Sequence, residues 1–152
     1  MEKFIVDVSY SQIAVFNSGL ENPFNDWADQ HVLQGFSWRE ESVSFKTLIE
    51  AGPMVVEVRK SESMPTPNGL RVITVPFKCP HGNKVEISSI ADGQVVSIEG
   101  GNYQLIFETD ISDDQCWSRF TFIPNGSKLP EILIADTEID PTTELIMHAE
   151  EA

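Results

Sequence analysis

Tyr103-Gln104-Leu105-Ile106-Phe107-Glu108-Thr109 decides the fold. Tyr103, Leu105 and Phe107 fall on one face of an extended chain and Gln104 and Glu108 on the other, the pattern of a half-buried strand in a sandwich. A helix would instead need apolar residues three and four apart. Turn chemistry brackets the stretch: Gly100-Gly101 stands before it, and Asp113-Asp114 separates it from a second alternating run, Cys116 to Ile123.

The same alternation recurs outward in both directions. Phe4 to Phe16 reads as one long or broken strand, followed by Ser42 to Leu48, Met54 to Lys60, Arg71 to Lys78, Val85 to Ser89 and Val95 to Ile98, with Glu131 to Ala135 as a last strand. Gly52-Pro53, Pro65-Thr66-Pro67-Asn68-Gly69, Pro80-His81-Gly82-Asn83 and Asp92-Gly93 supply the turns. One helix is marked, over residues 26–35. Asp26 is its expected N-cap, Asp29 sits where a carboxylate meets the positive end of the dipole, and Gly35 closes it. Trp27, Gln30 or His31, and Gln34 would share a face, and so short a helix needs tertiary packing to persist. The expectation is an all-β protein: an antiparallel β-sandwich of about eight or nine strands with one short helix. Residues 1–137 form one domain, and 138–152 an acidic C-terminal edge strand or tail.

At 152 residues the chain can bury about two thirds of its unfolded surface, so no staple is needed. Its apolar residues are scattered, and no run approaches the roughly 20 residues of a membrane span. Asp7, Ser9, Tyr10, Ser11 and Gln12 interrupt what would otherwise resemble a signal peptide, so the cytoplasm is expected. In that reducing compartment Cys79 and Cys116 read as free thiols. The formal net charge is −14, and from residue 101 onward eleven carboxylates face only Arg119 and Lys128. Such a field repels phosphate and attracts cationic surfaces, which argues against direct nucleic-acid binding and for a basic partner, although solubility alone also accounts for acidity.

Most chemistry fails on spacing. Cys79-Pro80-His81 lacks a second ligand pair for zinc and is better read as a turn. Asp136, Glu138 and Asp140 fall on the first, third and fifth places of a calcium loop, but Pro141 takes the place of its glycine and Met147 that of its bidentate glutamate. His31, His81 and His148 have no nucleophile elbow and read as surface histidines. Neither phosphate-binding glycine motif is present, and Asn125-Gly126-Ser127 matters only in a secreted protein. No catalytic residue, metal or cofactor is expected. Trp27, Trp38 and Trp117 read first as core, yet Trp117 follows Asp110, Asp113 and Asp114 at a loop-to-strand boundary. An aromatic anchor beside steering charges suits an interface with a basic partner.

Ser9-Tyr10-Ser11-Gln12 with Val15-Phe16, Asp26-Trp27 leading to Gly35, and Val43-Ser44-Phe45 resemble the opening of the competence protein J (ComJ) family. Ile73-Thr74-Val75-Pro76-Phe77, Val85 to Ile90 and Gly101-Asn102-Tyr103-Gln104-Leu105 continue the resemblance in order, over roughly residues 5–109. The resemblance implies a non-enzymatic inhibitor or immunity protein that binds and neutralises a nuclease, in this family a DNase. It carries over no binding residue. The charge reading therefore assigns the partner surface to the part beyond the resemblance: Asp110, Asp113, Asp114, Asp136, Glu138 and Asp140 supply the field and Trp117 the anchor. The rivals are a carboxylate hydrolase and a β-sandwich scaffold or carbohydrate-binding module, and both a monomer and an edge-paired homodimer stay open.

Overall fold

The computed structural model describes residues 2–80 and 84–152. Two sheets face each other. The six-stranded sheet has the order β1-β5-β10-β9-β6-β11, built from Glu2–Val8 (β1), Gly52–Lys60 (β5), Gln115–Pro124 (β10), Gly101–Ser112 (β9), Arg71–Cys79 (β6) and Glu131–Ile134 (β11). The five-stranded sheet has the order β3-β4-β2-β7-β8, from Phe36–Arg39 (β3), Ser42–Lys46 (β4), Gln12–Asn17 (β2), Lys84–Ser88 (β7) and Gly93–Ser97 (β8). Pairing is antiparallel except between β5 and β10, which run parallel. The helix, α1, spans Asp29–Gln34.

The sandwich is as expected; three details differ for physical reasons. Phe4 to Phe16 is two strands in different sheets, because Tyr10 and Ser11 turn the chain with φ of 55° and 56°. Together with the unforeseen β3, this raises the count to eleven among the described residues. The helix begins after Ala28, not Asp26, because the Asp26 N–H is given to the Glu150 carbonyl at 2.8 Å and residues there stay extended. His31 Nδ1 instead accepts the Ala28 N–H at 2.9 Å, and the Nε2 of the same buried ring meets the His148 carbonyl at 2.9 Å. His31 is thus structural, against the expectation of a surface residue, whereas His148 is exposed beside Glu150. Gly35 does close the helix, at φ 84°.

Aromatic rings fill the space between the sheets. Phe45 of β4 stacks on Phe107 of β9 at 4.5 Å between centroids, and Phe107 meets Phe120 of β10 at 5.4 Å. Each ring taken wholly from water contributes about 1.5–3 kcal/mol. The outer face of the six-stranded sheet is also covered over β9 and β6. There Val72, Ile106 and Ile123 form a second cluster with Leu133 and Ile134, and residues 61–70 cross the face, with Asn68 N–H donating to Glu108 Oε2 at 2.7 Å. Tyr103 to Thr109 is therefore buried on both faces, not half-buried. The Pro80–Asn83 turn expected between β6 and β7 lies largely outside the described residues, as does His81.

Residues 138–152 run back along α1. Ile139 is buried in the main core, Gln34 Nε2 donates to the Ile146 carbonyl at 3.0 Å, and Asn25 bridges Glu151.

Candidate protein-binding surface

Register gathers the turns of both sheets into two opposite ends. One end, called here the hairpin end, carries the β1–β2 turn, the segment after β4, the β7–β8 turn, the β9–β10 turn and the chain leaving β11. Asp113 and Asp114 form the β9–β10 turn itself. Their φ values of 52° and 62° make it a two-residue turn of the kind that matches strand twist. Both are exposed, with no hydrogen-bond or ion-pair partner among the described residues. Asp110 lies just below and accepts the Ile111 N–H at 2.6 Å.

Trp117 is the cross-strand neighbour of Asp110. Its indole N–H donates to Ser112 Oγ at 3.3 Å and the Arg119 guanidinium stands 5.3 Å from its ring centroid. The register continues the row from Trp117 to Val55 and then Ile5, which is 62% exposed. An ionic row lies beside this apolar one: Lys3 with Glu57, Glu57 with Arg119 at 2.9 Å, and Arg119 with the wholly buried Glu108 at 3.8 Å. Asp110, Asp113, Asp114 and Trp117 are thus brought together on one hairpin.

Asp136, Glu138 and Asp140 stand at the same end on the far side of β6, and two of them are already engaged. Asp136 holds Arg71 through both carboxylate oxygens, at 2.8 and 2.9 Å, and Glu138 Oε1 meets the same guanidinium at 3.1 Å. Burial pushes the Asp136 carboxyl up, but the Arg71 hydrogen bonds and charge, with the backbone N–H groups of Asp136 and Glu138, outweigh it and hold it below the usual range. Arg71 pairs with Thr109, which faces inward like Tyr103, Leu105 and Phe107, whereas Asp110 faces outward. The two acidic groups therefore point to different sides. Asp140 accepts the N–H and hydroxyl of Thr142, which lower its pKa at the surface.

Other members of this end escaped the sequence reading. Asp7, Glu50 and Asp92 add carboxylates, with the Asp7 N–H tied to Asp92 Oδ2 at 2.7 Å. Exposed large apolar side chains gather there too: Tyr10, Val32, Leu33, Leu70, Ile90 and Ile111. Only the Ser9-Tyr10-Ser11 stretch offered a signal, an aromatic between turn-forming residues. Most lysines instead lie toward the opposite end, where Lys60 faces Glu99 at 3.7 Å and Lys78 faces Glu40 at 4.0 Å, with Lys46 the exception at the hairpin end. The charge is polarised along the strands.

Cys79 and Cys116 are buried at opposite ends, which excludes a bond between them. Burial pushes both thiols up, with Glu41 adding to Cys79, so they stay protonated. Among the described residues no group of three His, Cys, Asp or Glu is disposed to hold a metal. Nor, among the described residues, is any helix long and apolar enough to cross a membrane.

Fold and surface define the class: an acidic two-sheet β-sandwich that presents carboxylates and apolar side chains together at one end. Residues 5–123 match the Competence protein J (ComJ) family, and the chain belongs to it. The match reaches beyond residue 109, so the hairpin with Asp110, Asp113, Asp114 and Trp117 lies inside it, contrary to expectation; Asp136, Glu138 and Asp140 lie outside. Among solved structures, the chain resembles Bacillus subtilis ComJ, described as an inhibitor of the DNA-degrading activity of NucA. The two share the fold with a TM-score of 0.73 at 22% identity, over 82% of this chain and 96% of that one. No curated protein sequence matches the chain.

Proposed function

We propose that this protein is a non-enzymatic inhibitor of a DNase, which it binds through the hairpin end. Membership of the ComJ family supports the partner class, and the observation that carries the surface is the polarised charge: unpaired Asp113 and Asp114 project beside exposed apolar side chains. A DNase must be electropositive where it holds phosphates. Carboxylates on a rigid sandwich end raise the encounter rate with such a groove and compete for it, and the apolar side chains among them supply desolvated contact. Asp110, Asp113 and Asp114 steer, Trp117 packs at the rim beside Arg119, and Asp140 widens the field. Asp136 and Glu138 shape the same end through Arg71.

The test is coexpression with a DNase of the NucA kind, the target of the structurally similar ComJ, followed by association kinetics. Rescue from nuclease toxicity and copurification are expected; a chain that neither rescues nor binds would end the inhibitor reading. Asp113→Lys with Asp114→Lys should slow association about tenfold or more, and raising ionic strength from about 0.05 to about 0.5 M should slow the wild type comparably. Kinetics indifferent to both changes would remove electrostatic steering while leaving inhibition standing.

A further inference from the structure

The β1–β2 turn builds a second feature at the hairpin end. Tyr10 is 77% exposed, yet it sits on a backbone that bulky residues seldom adopt, with φ 55° followed by φ 56° at Ser11. Neighbouring chain fixes it there. Ser11 N–H donates to the Glu50 carbonyl at 2.9 Å, and Thr47 N–H donates to the Ser11 carbonyl at 2.9 Å. The ring is therefore presented on a clamped turn, and its backbone needs no ordering on binding.

A groove of about 290 Å³ opens beside the ring, walled by Tyr10, Gln12, Trp27, Val32 and the stem of Lys46. Trp27 is held across its floor by an indole N–H bond to Gln12 Oε1 at 3.2 Å. Val32 is 41% exposed on the outer side of α1, whose inward residues His31 and Gln34 are buried. Lys46, the one charged residue of the wall, is paired with Glu138 at 3.9 Å, and further carboxylates lie close along the chain: Glu50 on the clamping loop and Asp29 one turn before Val32. An apolar seat whose one cation is neutralised by Glu138, at the carboxylate-rich end of the molecule, fits an apolar side chain that arrives among lysines or arginines. A second copy of this chain fits poorly, since each copy carries a net charge of −14 and would bring a like-charged end.

We propose that this groove seats an apolar side chain of the partner DNase, flanked on that protein by basic residues, with Tyr10 packing over it. The groove anchors the complex while the hairpin carboxylates steer its approach. This rests on the reading of the protein as a DNase inhibitor.

The experiment measures binding to a catalytically silenced DNase of the NucA kind that the wild type inhibits, for the wild type, Tyr10→Ala, Val32→Ser and the Asp113→Lys, Asp114→Lys pair. Anchoring predicts that Tyr10→Ala speeds dissociation about thirtyfold, with Val32→Ser in the same direction, while association rates and melting temperatures stay near wild type. Dissociation at the wild-type rate in both variants, with binding otherwise intact, overturns the groove and spares the inhibitor reading. A wild type that does not bind overturns both. Sedimentation of the free protein as a dimer that Tyr10→Ala converts to monomer would assign the groove to a second copy instead.

Discussion

Arg71 puts a guanidinium where a β-sandwich ordinarily buries a hydrocarbon. Its side chain is wholly buried; Nη1 donates to the Lys46 carbonyl of the facing sheet at 2.7 Å, and Asp136 and Glu138 take its other donors. Removing two charges from water is costly, and the arrangement is tolerable only because nearly every donor is met. Asp136→Ala should therefore cost about 3 kcal/mol in urea denaturation at neutral pH, because it leaves the buried cation only Glu138 and the Lys46 carbonyl. The pH dependence has a definite sign. The folded-state pKa of Asp136 lies below its unfolded value of about 3.9, so its stabilisation is complete above that value and is lost as pH falls through the folded one. Stability measured from about pH 6 downward should fall less steeply in Asp136→Asn than in the wild type. None of this pairing was legible in the sequence. Asp136, Glu138 and Asp140 read as one acidic run, and nothing local joins residues 65 apart in the chain.

At the scale of elements, the β9–β10 hairpin was the most legible part, because alternation and an Asp-Asp turn are both local signals. The turn is also strained, since two non-glycine residues hold positive φ. Asp113→Asn with Asp114→Gly, the pair this turn type favours, should stabilise the protein by about 1 kcal/mol and raise its melting temperature by about 2–4 °C. The same variant removes two carboxylates, so association with the DNase should slow as the fold becomes firmer. A thermal melt alongside binding kinetics checks both outcomes, and a turn that is neutral or less stable would contradict the strain. The faces of β9 were less legible. Gln104, Ile106 and Glu108 are buried because residues 61–70 lie over them, and the Pro- and Gly-rich character of that stretch marked a turn without saying what it covered. The helix shows the same limit. Gly35 stopped it as expected, but its start was decided by the pairing of Asp26 with Glu150.

For the whole molecule, the last residues are part of what closes the sandwich. Ile139 rests against Gly35, where an added Cβ would lie 3.1 Å from the Ile139 side chain, and Ala149 is buried further along. Ending the chain at Glu138 would remove these contacts and leave Gln34 without Ile146. A loss of at least about 3 kcal/mol is expected, visible as a fall of roughly 6–12 °C in melting temperature. Unchanged melting would make the segment dispensable. By itself the sequence determined that the protein is a β-sandwich of high negative charge with an Asp-Asp hairpin beside Trp117, because periodicity, turn chemistry and charge count depend on neighbours along the chain. Tertiary structure alone decided which carboxylates are free and which hold Arg71, and it gathered Tyr10, Val32 and the acidic turns at one end. Those facts depend on strand register between sheets, which arises from packing among residues far apart in the chain.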